Sequence, residues 1–89
     1  MNKDICNCGY LIIKTEHIND TIAVVLGYKE GALSPWVTWV YNKQRNVYYH
    51  GHYFCTNRLA VYDYHERVLE EFNYEKIASG LRLDAEAVL

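Results

Sequence analysis

The chain has 89 residues, a formal charge of −2, 15% aromatic side chains and three cysteines. That length supports one small domain, whose folding buries only ~60–65% of the unfolded surface, helped by rings that each bury roughly 150–250 Å². The mild negative charge with no basic block disfavours direct nucleic-acid binding, the absence of any apolar run near ~20 residues disfavours a membrane span, and the odd cysteine count disfavours a disulfide framework.

The start, MNKDICNCGY, lacks the apolar core of a secretory leader. The expectation is a cytoplasmic protein whose Cys6, Cys8 and Cys55 stay reduced. Residues 1–9 read as a flexible N-terminus. Residues 10–18, YLIIKTEHI, have strand character, and Asn19-Asp20 marks a turn because both side chains can bond nearby backbone. Residues 21–28, TIAVVLGY, are β-branched and apolar, the strongest strand pattern in the chain. Residues 29–34, KEGALS, break the pattern at Gly31 and form a loop, a candidate contact element. Residues 36–41 and 47–54 then read as a second hairpin around a turn at 42–46.

After Phe54 the period changes. Thr56 or Asn57 can cap a helix N-terminus. From Leu59 to about Ile77 an apolar stripe of Val61, Tyr62, Leu69 and Phe72, flanked by Leu59 and Val68, is expected to face the sheet. Asp63, Glu66, Glu70 and Glu71, with Arg67 among them, are expected on an acidic outer surface. Ser79-Gly80 is a plausible stop, and residues 81–89 form a tail or a short helical turn. The predicted fold class is α+β: a four-stranded antiparallel meander with one C-terminal helix packed on one face, a ββββα domain over residues 10–80.

Strand alternation places Trp36 on one sheet face and Trp39 and Tyr41 on the other. On the next strand it puts Tyr48, His50, His52 and Phe54 together, and Tyr49 and Tyr53 opposite them. One helix cannot shelter all these rings, so Trp36, Trp39, Tyr41, Tyr48, Tyr49 and Tyr53 are candidate partner-binding anchors on the open face. Glu66, Glu70 and Glu71 would steer a basic partner.

Other constellations are weaker. His50-Gly51-His52, with Cys55 or His65, offers imidazole and thiolate ligands for a metal, but the spacing does not match a structural zinc signature. Cys6-x-Cys8 has one intervening residue where zinc sites usually have two to four. A Cys55 nucleophile would need His52, which alternation places on the other face. The glycines make no phosphate-binding pattern. No catalytic set converges, so the expectation is a protein without enzymatic activity and without a cofactor.

The segments VTW (37–39) and YYHGHYF (48–54), and the A-x-x-D-Y-x-x-R spacing of Ala60, Asp63, Tyr64 and Arg67, resemble small proteins of Firmicutes mobile elements and prophages. The resemblance covers residues 37–67. It implies a setting in which small acidic proteins often inhibit host defence, including anti-CRISPR proteins. The resulting expectation is a protein-binding module that blocks a partner's surface, the partner being a host protein, for instance one that handles nucleic acid. The alternative is a metal- or small-ligand-binding protein built on the histidine strand. A homodimer burying the second sheet face or the 81–89 tail is a third arrangement.

Overall fold

The computed structural model describes residues 5–79. Five strands form one antiparallel meander in sequence order: β1 Cys6–Asn7, β2 Tyr10–His17, β3 Ile22–Tyr28, β4 Trp36–Asn42 and β5 Val47–Phe54. A single helix, α1 Asn57–Ser79, follows and packs against β3, β4 and β5. The α+β class and the helix-on-sheet layering are as the sequence predicts. The strand count is five rather than four. Cys8 and Gly9 both take left-handed backbone angles (φ 52° and 84°), which suits a tight hairpin turn. The turn folds β1 back on β2, and the Ile12 N–H donates to the Ile5 carbonyl at 2.8 Å. Within the segment expected to be a flexible lead, Cys6–Asn7 thus form an edge strand and Cys8–Gly9 its turn. Residues 1–4, Gly80 and the 81–89 tail lie outside the described residues.

The expected turn chemistry is in place. Asn19 Oδ1 accepts from the Thr21 and Ile22 N–H groups at 2.8 and 2.7 Å, and Asn42 Oδ1 accepts from Arg45 N–H at 2.9 Å. Each Asn thereby supplies the acceptor that the turning backbone lacks. At the helix start the Leu59 N–H donates to Thr56 Oγ1. Thr56 is thus the cap and Asn57 the first helical residue.

The central strand β3 is buried on both sides from Ala23 to Gly27. On the helix side Val24 and Leu26 pack with Ala60 and Tyr64, bordered by Trp36 and Phe54. On the other side Val25 packs with Tyr10, Val37 and Trp39, bordered by Ile12, Tyr41 and Tyr48. Trp36 and Trp39 thus fall on opposite faces, as alternation requires.

Alternation fails on β5. Thr38 pairs with His52, but Val40 pairs with Tyr49, so His50 and Gly51 both stand opposite Trp39. This is a β-bulge, with His50 in the left-handed region at φ 56°. The extra residue resets the strand. Tyr48 and Tyr53 both meet Trp39 on the open side, while Phe54 joins the helix-side cluster and His52 reaches α1. The expected grouping of Tyr48 with His52 and Phe54, and of Tyr53 with Tyr49, is corrected by that single residue.

The helix is also rotated from the expected orientation. Val61 and Val68 do pack toward the sheet. However, Leu59, Tyr62, Leu69 and Phe72 are 56%, 68%, 61% and 40% exposed, whereas Ala60, Tyr64 and Arg67 are buried. Ala60 has no bulk to hold the helix off the strands. Asp63 and Arg67, expected outside, find polar partners on the sheet.

Candidate functional site

Thr38 sits in the middle of β4, fully buried, and is the hub of a polar cluster under α1. Its hydroxyl donates to Asp63 Oδ2 at 2.6 Å. Arg67 Nη1 donates to the Thr38 carbonyl at 3.2 Å and lies 3.1 Å from its Oγ1. From β5, His52 Nδ1 lies 3.0 Å from Asp63 Oδ2. Burial pushes the Arg67 guanidinium below its ordinary pKa, and the charges of Asp63, Glu70 and Glu71 oppose that shift. Among the described residues, no buried side-chain polar atom lacks a partner. Chemically, a histidine oriented by a carboxylate is half of an acid–base device. Among the described residues the Cys55 thiol is directed elsewhere, with Sγ 3.8 Å from the Leu33 carbonyl oxygen. What the cluster does in this geometry is clamp α1 onto β4 and β5.

The opposite sheet face is built from rings. Trp39 is 4% exposed. It is enclosed edge-on by Tyr10, Tyr48 and Tyr53, with centroids 5.7, 5.6 and 6.1 Å away. Tyr41 stacks on Tyr48 at 4.3 Å and donates to Asn46 Oδ1. Tyr10 Oη donates to the Ser34 carbonyl at 2.8 Å, tying the 29–35 loop to this face. Burial, with Tyr41 second, raises the Tyr48 phenol pKa. Beside the Tyr41–Tyr48 stack lies a recess of about 190 Å³, with Ile5, Ile12, Val25 and His17 completing its walls. Tyr53 remains 49% exposed. This combination of apolar walls, an aromatic rim and a few polar tips is the usual make-up of a contact site.

The six predicted anchors therefore divide. Tyr41, Tyr48 and Tyr53 lie on the open face. Trp39 lies beneath them as their floor and is too enclosed to touch a partner. Trp36 packs on Tyr28 at 4.4 Å on the helix side, and Tyr49 lines a helix-side cleft with Glu71 and Tyr74. Of the predicted steering acids, Glu66 and Glu70 are exposed, while Glu71 is half-buried and its charge acts on Arg67. All three are on the helix layer, across the sheet from the rings. They cannot steer a partner onto that face at short range.

The candidate metal set does not converge. His52 is paired with Asp63, His65 lies against Tyr64 and His50 against Tyr49. Among the described residues no three His, Cys, Asp or Glu side chains come together as ligands. Cys6 and Cys8 are exposed free thiols on the β1 hairpin. No described helix is long and apolar enough to cross a membrane.

Sequence reasoning missed Tyr10 and the roles of Thr38, Asp63 and Arg67. The last three all lie in the segments that carry the resemblance described above. Ala60, Asp63, Tyr64 and Arg67, spaced three, one and three apart, are the face of α1 that meets the sheet. That spacing was the available signal for the helix orientation. Comparison with known proteins gave no matching family model, no similar curated protein and no similar solved structure.

Proposed function

We propose that this protein is a non-enzymatic protein-binding module that takes an apolar side chain of its partner into the recess beside Tyr41 and Tyr48. The supporting observation is that, among the described residues, α1 lies on the other side of the sheet and no element covers this ring-lined face. Tyr53 and the Tyr41–Tyr48 stack supply area at low rotamer cost, and His17 and Thr15 supply polar edges. In the setting the resemblance implies, the partner is a host defence protein and the effect is inhibition by occupying its surface.

The test is capture of a partner from host lysate, followed by affinity measurement on the purified pair. Tyr53→Ala and Tyr41→Ala should each weaken binding by about tenfold or more, the scale of a hot-spot loss, with unchanged far-UV circular dichroism. Folded variants that bind like the parent would refute this site.

A further inference from the structure

We infer that the ring-lined face selects an acidic segment of its partner, with one apolar side chain entering the recess while a neighbouring carboxylate meets Lys43 and His17. This rests on the recess being the contact site proposed above, and it adds the chemistry of what enters. Ile12, Val25 and the rings of Tyr41 and Tyr48 make the recess apolar, and His17 closes one wall. Its volume of about 190 Å³ is below the roughly 300 Å³ at which pockets for whole small molecules begin. It therefore suits a single side chain.

Charge at the rim identifies the occupant. Lys43 Nζ lies 3.1 Å from His17 Nδ1. An ammonium can only donate, so Nδ1 is the acceptor and the ring proton sits on Nε2. The rim thus offers the remaining N–H bonds of Lys43 beside the Nε2–H of His17. A carboxylate accepts from both, and hydrogen bonds to charged groups are the stronger kind. Lys29 repeats the positive sign at the far end of the same face, its Nζ 5.7 Å from the Tyr10 ring. The seven residues of β3 separate the two ends by roughly 20 Å, the reach of a short extended segment. The described carboxylates stand elsewhere. Glu16 is on the helix side, where its charge acts on Tyr64. Asp20 and Glu30 lie in the connections before and after β3. Asp63, Glu66, Glu70, Glu71 and Glu75 belong to α1, one layer away, and exposed charges more than about 8 Å apart are largely screened at physiological ionic strength. A nucleic acid would also bring negative charge. However, Tyr41 and Tyr48 stack on each other at 4.3 Å, whereas base stacking needs free ring faces, and two separated ammonium groups make no phosphate track.

Fluorescence polarisation of labelled seven-residue peptides against the full chain tests it. The probes are a central leucine flanked by aspartates, the same peptide with lysines or with serines in place of the aspartates, and a thymidine oligonucleotide. The aspartate peptide should bind about tenfold or more tighter than the lysine peptide, and the advantage should shrink as salt rises. Lys43→Glu should remove the preference for aspartate and strengthen binding of the lysine peptide, a gain that misfolding cannot produce. The exchange spares the turn, because the Lys43 backbone N–H donates to the Thr21 carbonyl at 2.7 Å. An unchanged preference in Lys43→Glu overturns the inference. A serine peptide that binds as tightly as the aspartate one, and that Tyr41→Ala weakens, overturns the acidic assignment while the recess stands as a contact site. Failure of every leucine peptide to bind, or binding that Tyr41→Ala leaves unaltered, overturns both. An oligonucleotide that displaces the aspartate peptide and binds more tightly overturns the inference in favour of a nucleic-acid surface.

Discussion

His50 and Gly51 share the place opposite Trp39, and each is subject to a different constraint. His50 carries the left-handed backbone angle of the bulge, φ 56°, a conformation that costs an L-residue roughly 1–2 kcal/mol. Gly51 carries no such angle. It is there for room, since a Cβ at that position would come within 2.7 Å of Trp39 Nε1 and 2.9 Å of the Tyr53 ring. Neighbouring substitutions should therefore act in opposite directions. His50→Gly should stabilise by about 0.5–1 kcal/mol, the relieved strain less the extra freedom of the unfolded chain. Gly51→Ala should destabilise by about 1–3 kcal/mol, because a packed indole must move. Urea unfolding of the two variants against the parent gives both values. Equal signs would mean that Trp39, not the bulge, adapts.

For the helix, the fixed point is a polar clamp. Arg67→Ala would leave the Thr38 carbonyl and Asp63 without their donor or counter-charge in a buried place, a loss of about 2–4 kcal/mol. Thr38→Val removes the other end of the same cluster. Because the two residues share partners, the double variant should cost less than the sum of the single ones. Chemical denaturation of the four proteins completes the cycle, and strict additivity would show that the cluster is not one unit. This clamp also explains what the sequence made legible. The meander was readable, because β-branched runs and the Asn19 and Asn42 turns act locally. The class of the helix and its cap at Thr56 were readable for the same reason. Its rotation was not. Leu59, Tyr62, Leu69 and Phe72 are larger and more apolar than Ala60, Tyr64 and Arg67, so hydrophobicity pointed the wrong face at the sheet. Arginine is seldom buried. Its burial follows only from an acceptor on β4 that lies 29 residues away in the chain. The open face was similarly half-legible. Trp39 and Tyr41 fell where alternation put them, but a histidine at positive φ is too uncommon for the bulge, and hence the position of Tyr53, to be anticipated.

Across the whole molecule, β3 is the shared wall of two small cores, and each core holds a tyrosine whose phenol is shifted. Tyr64 is 4% exposed on the helix side. Burial raises its pKa, and the charge of Glu16 adds to the effect. Tyr48, on the ring-lined side, is raised by burial and by Tyr41. In both cases folding favours the neutral phenol. The unfolded chain ionises near pH 10. The stability that the two groups contribute is thus fully present below about pH 10 and is lost as pH rises through their higher folded values. The sheet should consequently unfold more readily on the alkaline side. Lysine deprotonation adds a background common to all variants, so the comparison must be made by substitution. Tyr64→Phe and Tyr48→Phe should each flatten the alkaline decline, and the double variant should flatten it by the sum, since the two rings sit on opposite sides of β3. Urea midpoints measured from pH 8 to pH 11 would show this, with tyrosinate absorbance recorded alongside. If β3 couples the two cores into one cooperative unit, both substitutions act on a single unfolding transition. A decline that moves for one layer only, or splits into two steps, would show that the helix side and the ring-lined side open separately.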